Sequence, residues 1–176
     1  SLRIENETRK ELLKFYELSK KHYYPGELIS HLYLMMGTHL LMGTQKFLDL
    51  IRFMNQDIRT YPEFKGKRIL WVHLIPYYQE SLKHYFNTNE KYQLIDFTDT
   101  LDPEDPFHSL ARKLIKNVFN GSYDHKAETI GKMADWIKPD AVIHFCHWGC
   151  KQASGGSLLL KETMKSRNIP MLILDG

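Results

Sequence analysis

Apolar positions in the first third of the chain recur with helical spacing. In "TRKELLKFYELSKKHY", Leu12, Leu13, Phe15, Tyr16 and Leu18 form a broad apolar stripe. Pro25-Gly26 interrupts it, and Glu27 opens a second apolar stretch. "THLLMGTQKFLDLIRFMNQDI" continues with Leu40, Leu41, Phe47, Leu48, Leu50, Ile51 and Met54. Gly37 and Gly43 are poor helix formers and predict breaks or close packing.

After "YPEFKGK" the pattern changes. "RILWVHLIP" is a compact apolar run bounded by Lys-Gly-Lys and Pro76, which predicts a buried strand. "YYQESLKHYF" reads as helix and "YQLIDFTD" as a second strand. "PFHSLARKLIKNVF" and "KAETIGKMADWI" read as helices. "DAVIHFCH" reads as a third strand, "SGGSLLLKETMKSR" as a helix and "PMLILDG" as a fourth strand. This alternation is that of a parallel sheet covered by helices. The expected fold is α/β. A helical segment, 1–64, precedes a doubly wound, mainly parallel four-stranded sheet with helices on both faces, 65–176, Rossmann- or flavodoxin-like. The missing initiator Met and the strand-like end "MLILDG" lead us to expect a piece of a longer protein, cut within this second unit.

Composition narrows the function classes. The 176 residues are 43% hydrophobic and 26% charged, as in a globular chain. Net charge is +3, from 24 Lys and Arg against 21 Asp and Glu. That excess is small and scattered, which argues against nucleic acid as a partner. The longest apolar run, "HLYLMMGTHLLMG", is too short and too polar for a membrane span. Two cysteines are too few for a disulfide framework, so a reducing, cytoplasmic setting is expected.

Ligands of open α/β sheets bind beyond the carboxyl ends of the strands. Both cysteines fall there, in "HFCHWGCKQASGG", with "IPYY", "FTDTLDPEDPF" and the final "DG" on the same edge. The residues leave four chemistries open: a zinc site, a thiol pair, a nucleophilic Cys150 beside His147, or a thiolate ligand to an iron–sulfur cluster. Zinc is disfavoured because the His and Cys ligands crowd one strand end instead of forming two separated pairs. The redox pair is disfavoured because the spacing is C-x3-C. Cys146 reads as a small core residue and His144 as a satisfied, partly buried strand residue. Ser154, Gly155 and Gly156 could cradle a phosphate, or Ser154 could cap a helix while the glycines pack on a neighbour. In "LDPEDPF", Asp105 and Pro106 read as a helix start.

Taken together, "KGKRILWVHLIP", "DTLDPEDPFHSLARKLIKN" and "HFCHWGCKQASGGSLLLKETMKSRNIPMLILDG" resemble the subunits of the 2-hydroxyacyl-CoA dehydratase and benzoyl-CoA reductase family, of the D-component kind. The resemblance covers roughly Lys65 to Gly176 and is looser over the helical first third. It implies a lyase, anaerobic and built from two related subunits, which dehydrates a 2-hydroxyacyl-CoA through a ketyl radical. The related reductases reduce an aromatic ring instead. It implies a [4Fe-4S] cluster and a separate ATP-dependent activator that injects one electron at low potential. On the matching segment, Cys150 would be a cluster ligand, completed by cysteines outside this chain. Ser154, Gly155 and Gly156 would support the cluster or a CoA phosphate, and His147 and Gln152 would contact the acyl-CoA substrate. The chain departs from the family pattern at "DFTDTLD", where many members place another ligand cysteine. A non-catalytic iron–sulfur or partner-binding subunit of the same family is the alternative.

Overall fold

The computed structural model describes residues 1–87, 91–95, 111 and 121–176. The expected helix start at Asp105-Pro106, the helix over 106–119 and the "DFTDTLD" segment lie outside the described residues.

Three helices open the chain: α1 (Leu2–Ser19), α2 (Leu28–Leu40) and α3 (Gln45–Asp57), the last running into a 3-10 turn at Ile58–Thr60. Side-chain caps start two of them. Ser1 Oγ accepts from Ile4 N–H at 3.5 Å, and Thr44 Oγ1 accepts from Phe47 N–H at 3.3 Å. The two glycines divide the roles expected of them. Gly37 stays within α2, where a Cβ would stand 2.6 Å from the Phe47 ring, so its smallness lets α3 approach. Gly43 has φ +84 and turns the chain between α2 and α3.

The remainder alternates strand and helix: β1 (Lys67–Val72), α4 (Glu80–Phe86), β2 (Tyr92–Ile95), α5 (Tyr123–Ile137), β3 (Ala141–Cys146), α6 (Lys151–Ser154), α7 (Ser157–Lys165) and β4 (Met171–Asp175). The strands pair in parallel in the order β2-β1-β3-β4, so the α/β class holds. The helix expected over "SGGSLLLKETMKSR" is divided at Gly155-Gly156 into α6 and α7.

Strand alternation sends side chains to two cores. On one face Leu70, Val72 and Val142 meet Leu12, Phe15, Ile51, Ile130, Leu160 and Met164, so helices 1–64 and the sheet share one buried cluster. Fully buried Leu12, Leu70 and Met164 each contribute about 1.5–3 kcal/mol through lost water contact. On the other face Ile69, Trp71, Ile143 and Phe145 meet Phe86 of α4 and Leu28.

That division positions the site. β1 and β3 are neighbours, yet the chain leaves β1 toward α4 on one face and leaves β3 toward α7 on the other. Their following loops diverge, which makes the β1–β3 carboxyl edge the topological switch point. Among the described residues, no helix is long and apolar enough to cross a membrane.

Candidate functional site at the β1–β3 switch point

β3 carries polar groups into its last turn of strand. His144 and Cys146 share the parity of Val142 and so face α5 and α7. His144 is 1% exposed, and its Nε2 lies 2.7 Å from the Ala153 carbonyl. That contact makes Nε2 the protonated nitrogen of a neutral ring. Burial lowers its pKa and keeps it uncharged. Cys146 is buried, with Sγ 3.7 Å from the same carbonyl. Burial, then the Asp175 carboxylate, pushes its thiol up. Cys146 is a core thiol, as the sequence suggests, whereas His144 is more deeply buried than expected and only half satisfied: its Nδ1 is buried with no hydrogen-bond partner among the described residues.

Beyond the strand the chain folds into a tight turn. Cys150 N–H donates to the His147 carbonyl at 2.9 Å, and the Cys150 carbonyl accepts from Ala153 and Ser154 N–H at 2.9 and 3.1 Å. Cys150 is therefore the residue that opens α6, half-buried and with a free thiol. Trp148 N–H donates to the Gly176 carbonyl, and Gly176 N–H donates to the Cys146 carbonyl, both at 3.2 Å. The final "DG" thus ties β4 to this loop.

The other sequence-flagged residues cluster around the same turn. His147 is exposed, and its ring closes over Gly149, where a Cβ would stand 3.1 Å from His147 Cε1. Trp148 is 78% exposed. Gln152 is half-buried, with a buried Oε1 that has no hydrogen-bond partner among the described residues. Ser154 does not cap a helix. It ends α6, and its Oγ donates back to the Cys150 carbonyl at 3.2 Å, while Gly156 stands at the start of α7. Serine mid-turn prefers such a local backbone bond when no helix opens on it. Gly155 and Gly156 lie beneath Tyr123. A Cβ would fall 2.1 Å from its hydroxyl at Gly155 and 2.5 Å from Cδ1 at Gly156. The glycine pair therefore admits a tyrosine ring on the side a Cβ would fill.

Three residues escaped the sequence reading. Lys126, in the first turn of α5, is 6% exposed, and its ammonium donates to the Gln152 carbonyl. Burial lowers its pKa, while Cys150 and Cys146 act in the opposite direction. Tyr123 donates from its hydroxyl to the Lys151 carbonyl at 2.7 Å. His73 follows β1 with φ +76, a left-handed backbone that costs a non-glycine residue. Trp71 Nε1 spans that turn by donating to the Leu74 carbonyl at 2.9 Å. The His73 ring sits edge-on to His144 at 6.4 Å, and burial, with Lys126, His144 and His147 nearby, lowers its pKa to about 4. The amphipathic pattern of "YDHKAE" gave no cue to Lys126. The strand-like run through His73 hid its turn.

Chemically, the edge offers one accessible thiol, two neutral imidazoles and a buried ammonium. Among the described residues, no three His, Cys, Asp or Glu side chains gather as a metal site. With two cysteines, one of them in the core, the chain does not hold a [4Fe-4S] cluster by itself. The chain's two thiols are the buried Cys146 and the half-buried Cys150, and Cys150 is the one on the open side of this edge.

No curated protein matches the chain. The model of the 2-hydroxyglutaryl-CoA dehydratase D-component family matches residues 1–176, extending the likeness through the helical first third, and the chain belongs to that family.

Proposed function

We propose that the chain is part of a 2-hydroxyacyl-CoA dehydratase subunit in which Cys150 gives one thiolate to a [4Fe-4S] cluster. The observation that carries this reading is the place of Cys150. It is the half-buried free thiol that opens α6 at the β1–β3 switch point, in a chain of the dehydratase family. When bound, the cluster would supply single-electron transfer, delivered by an ATP-dependent activator. Loss of water from a 2-hydroxyacyl thioester is redox-neutral overall, so that electron would be returned after turnover. The residues of this chain would hold and screen the thiolate. Buried Lys126 brings positive charge near it, and the neutral His144 avoids a second buried charge. The remaining thiolates, the second subunit and most of the acyl-CoA pocket would come from outside these residues. His147 and Gln152 would face the substrate from the same turn.

Anaerobic expression with iron tests the ligand assignment. An iron-dependent absorption band at the edge of the visible that disappears in Cys150→Ser is the expected result. A band that is unchanged by the substitution sinks it. Dehydration is then assayed with the partner subunit and activator present. A chain that loads iron but adds no dehydratase activity to its partner belongs to the non-catalytic alternative.

A further inference from the structure

Three consecutive carbonyls of one short turn are each taken by a side chain from elsewhere in the fold. The Lys151 carbonyl accepts from the Tyr123 hydroxyl at 2.7 Å, besides its helical bond from Gly155 N–H at 2.8 Å. The Gln152 carbonyl accepts from the Lys126 ammonium. The Ala153 carbonyl meets His144 Nε2 at 2.7 Å. A four-residue helix cannot hold itself together, because nucleation fixes several residues for almost no internal hydrogen bonds. Its geometry must come from these outside contacts.

The three donors approach from two directions. Tyr123 and Lys126 are one turn apart on α5 and reach down from the first turn of that helix. His144 reaches up from β3 and is 1% exposed. The glycine pair is a condition of this arrangement, since a side chain at either position would displace Tyr123. Between the two elements the turn is gripped along its length, and the residue it presents at its open end is Cys150.

We infer that Lys126, acting with Tyr123 and His144, is the positioning residue for Cys150: its ammonium holds the Gln152 carbonyl and so fixes where the thiol stands on the carboxyl edge. Its role is geometric first. Because the ammonium is charge-assisted as a donor, it is the strongest of the three contacts. This inference deepens the proposed function and rests on Cys150 being the functional thiol, but its test requires no cluster.

The test is hydrogen exchange on the full chain, followed at the amides of Ala153, Ser154 and Gly155. In Lys126→Met and in Tyr123→Phe these amides are expected to exchange about tenfold faster, while β3 and the rest of α5 keep their protection. Lys126→Arg, which keeps a charged donor, restores most of the protection. A nitroxide on Cys150 in a Cys146→Ala background gives the second readout. Its spectrum should be immobilised in that background, mobile after Lys126→Met and immobilised again with Lys126→Arg. Unchanged exchange at residues 153–155 in Lys126→Met overturns the inference, as does an unchanged nitroxide spectrum. If Lys126→Met loosens the whole sheet, Tyr123→Phe decides, since it removes only one hydroxyl. Loss of the iron band in Cys150→Ser with normal exchange in Lys126→Met would sink the positioning role and leave the ligand assignment standing.

Discussion

Cys146 and Cys150 are four residues apart and live in different physical surroundings. Cys146 ends a strand whose partners on both sides are fixed by ladder hydrogen bonds, and it is 4% exposed. Cys150 opens a turn with no ladder, half-buried, positioned by side chains from α5 and β3. The first is placed by the cooperative burial of a sheet. The second is placed by a handful of specific polar contacts. A thiol meant to meet another group needs the second kind of setting, because a strand core leaves no room for a partner.

Substitutions at the two regions should separate these origins. The largest effect is expected in the sheet. Leu70→Ala empties a fully buried position under the site and should cost about 2–5 kcal/mol by chemical denaturation. His144→Ala joins the two regions, since it removes a buried ring and the contact to the Ala153 carbonyl. A loss of about 2–3 kcal/mol is expected, together with faster exchange in α6. The thiols themselves then give the direct contrast. Cys146→Ser buries a hydroxyl and should cost about 1–2 kcal/mol, whereas Cys150→Ser should stay within about 0.5 kcal/mol. Equal costs at the two positions would erase the distinction.

The effect expected at His73 is modest and of opposite sign. Glycine adopts φ +76 freely, so His73→Gly should raise the thermal midpoint, by about 1 kcal/mol of stability at neutral pH. The substitution also tests a pH dependence. Burial lowers the pKa of His73 to about 4 in the folded chain, from the 6.5 of an ordinary histidine. Between those values the unfolded chain binds a proton that the folded chain refuses, so stability falls as pH drops from 6.5 toward 4. His73→Gly should flatten part of that acid slope. His144, whose pKa is lowered in the same direction, retains its share.

Much of the fold was legible from apolar patterning. The runs at "RILWVH" and "DAVIHFC" became β1 and β3 because buried strands need continuous apolar residues, and "MLILD" became β4, which ends the strand order and is half-exposed. The separation of the thiols was legible too, since alternation and position along the third strand place Cys146 inside and Cys150 beyond. The glycine pair misled in part. It promised one helix opening on Ser154, but Tyr123 from a helix about thirty residues earlier splits that helix in two. Nothing local to Ser154 encodes that ring.

Apolar patterning alone sets the α/β class, the strand that carries the site and the edge on which Cys150 falls. These depend on local periodicity and on the rule that loops after parallel strands gather at one edge. Packing alone buries Lys126, turns His73 left-handed and lets α5 and β3 capture the carbonyls of residues 151–153. A lysine in an amphipathic helix is solvated by default. It becomes an internal donor only when a distant turn presents it with a carbonyl, and that meeting is a property of packing.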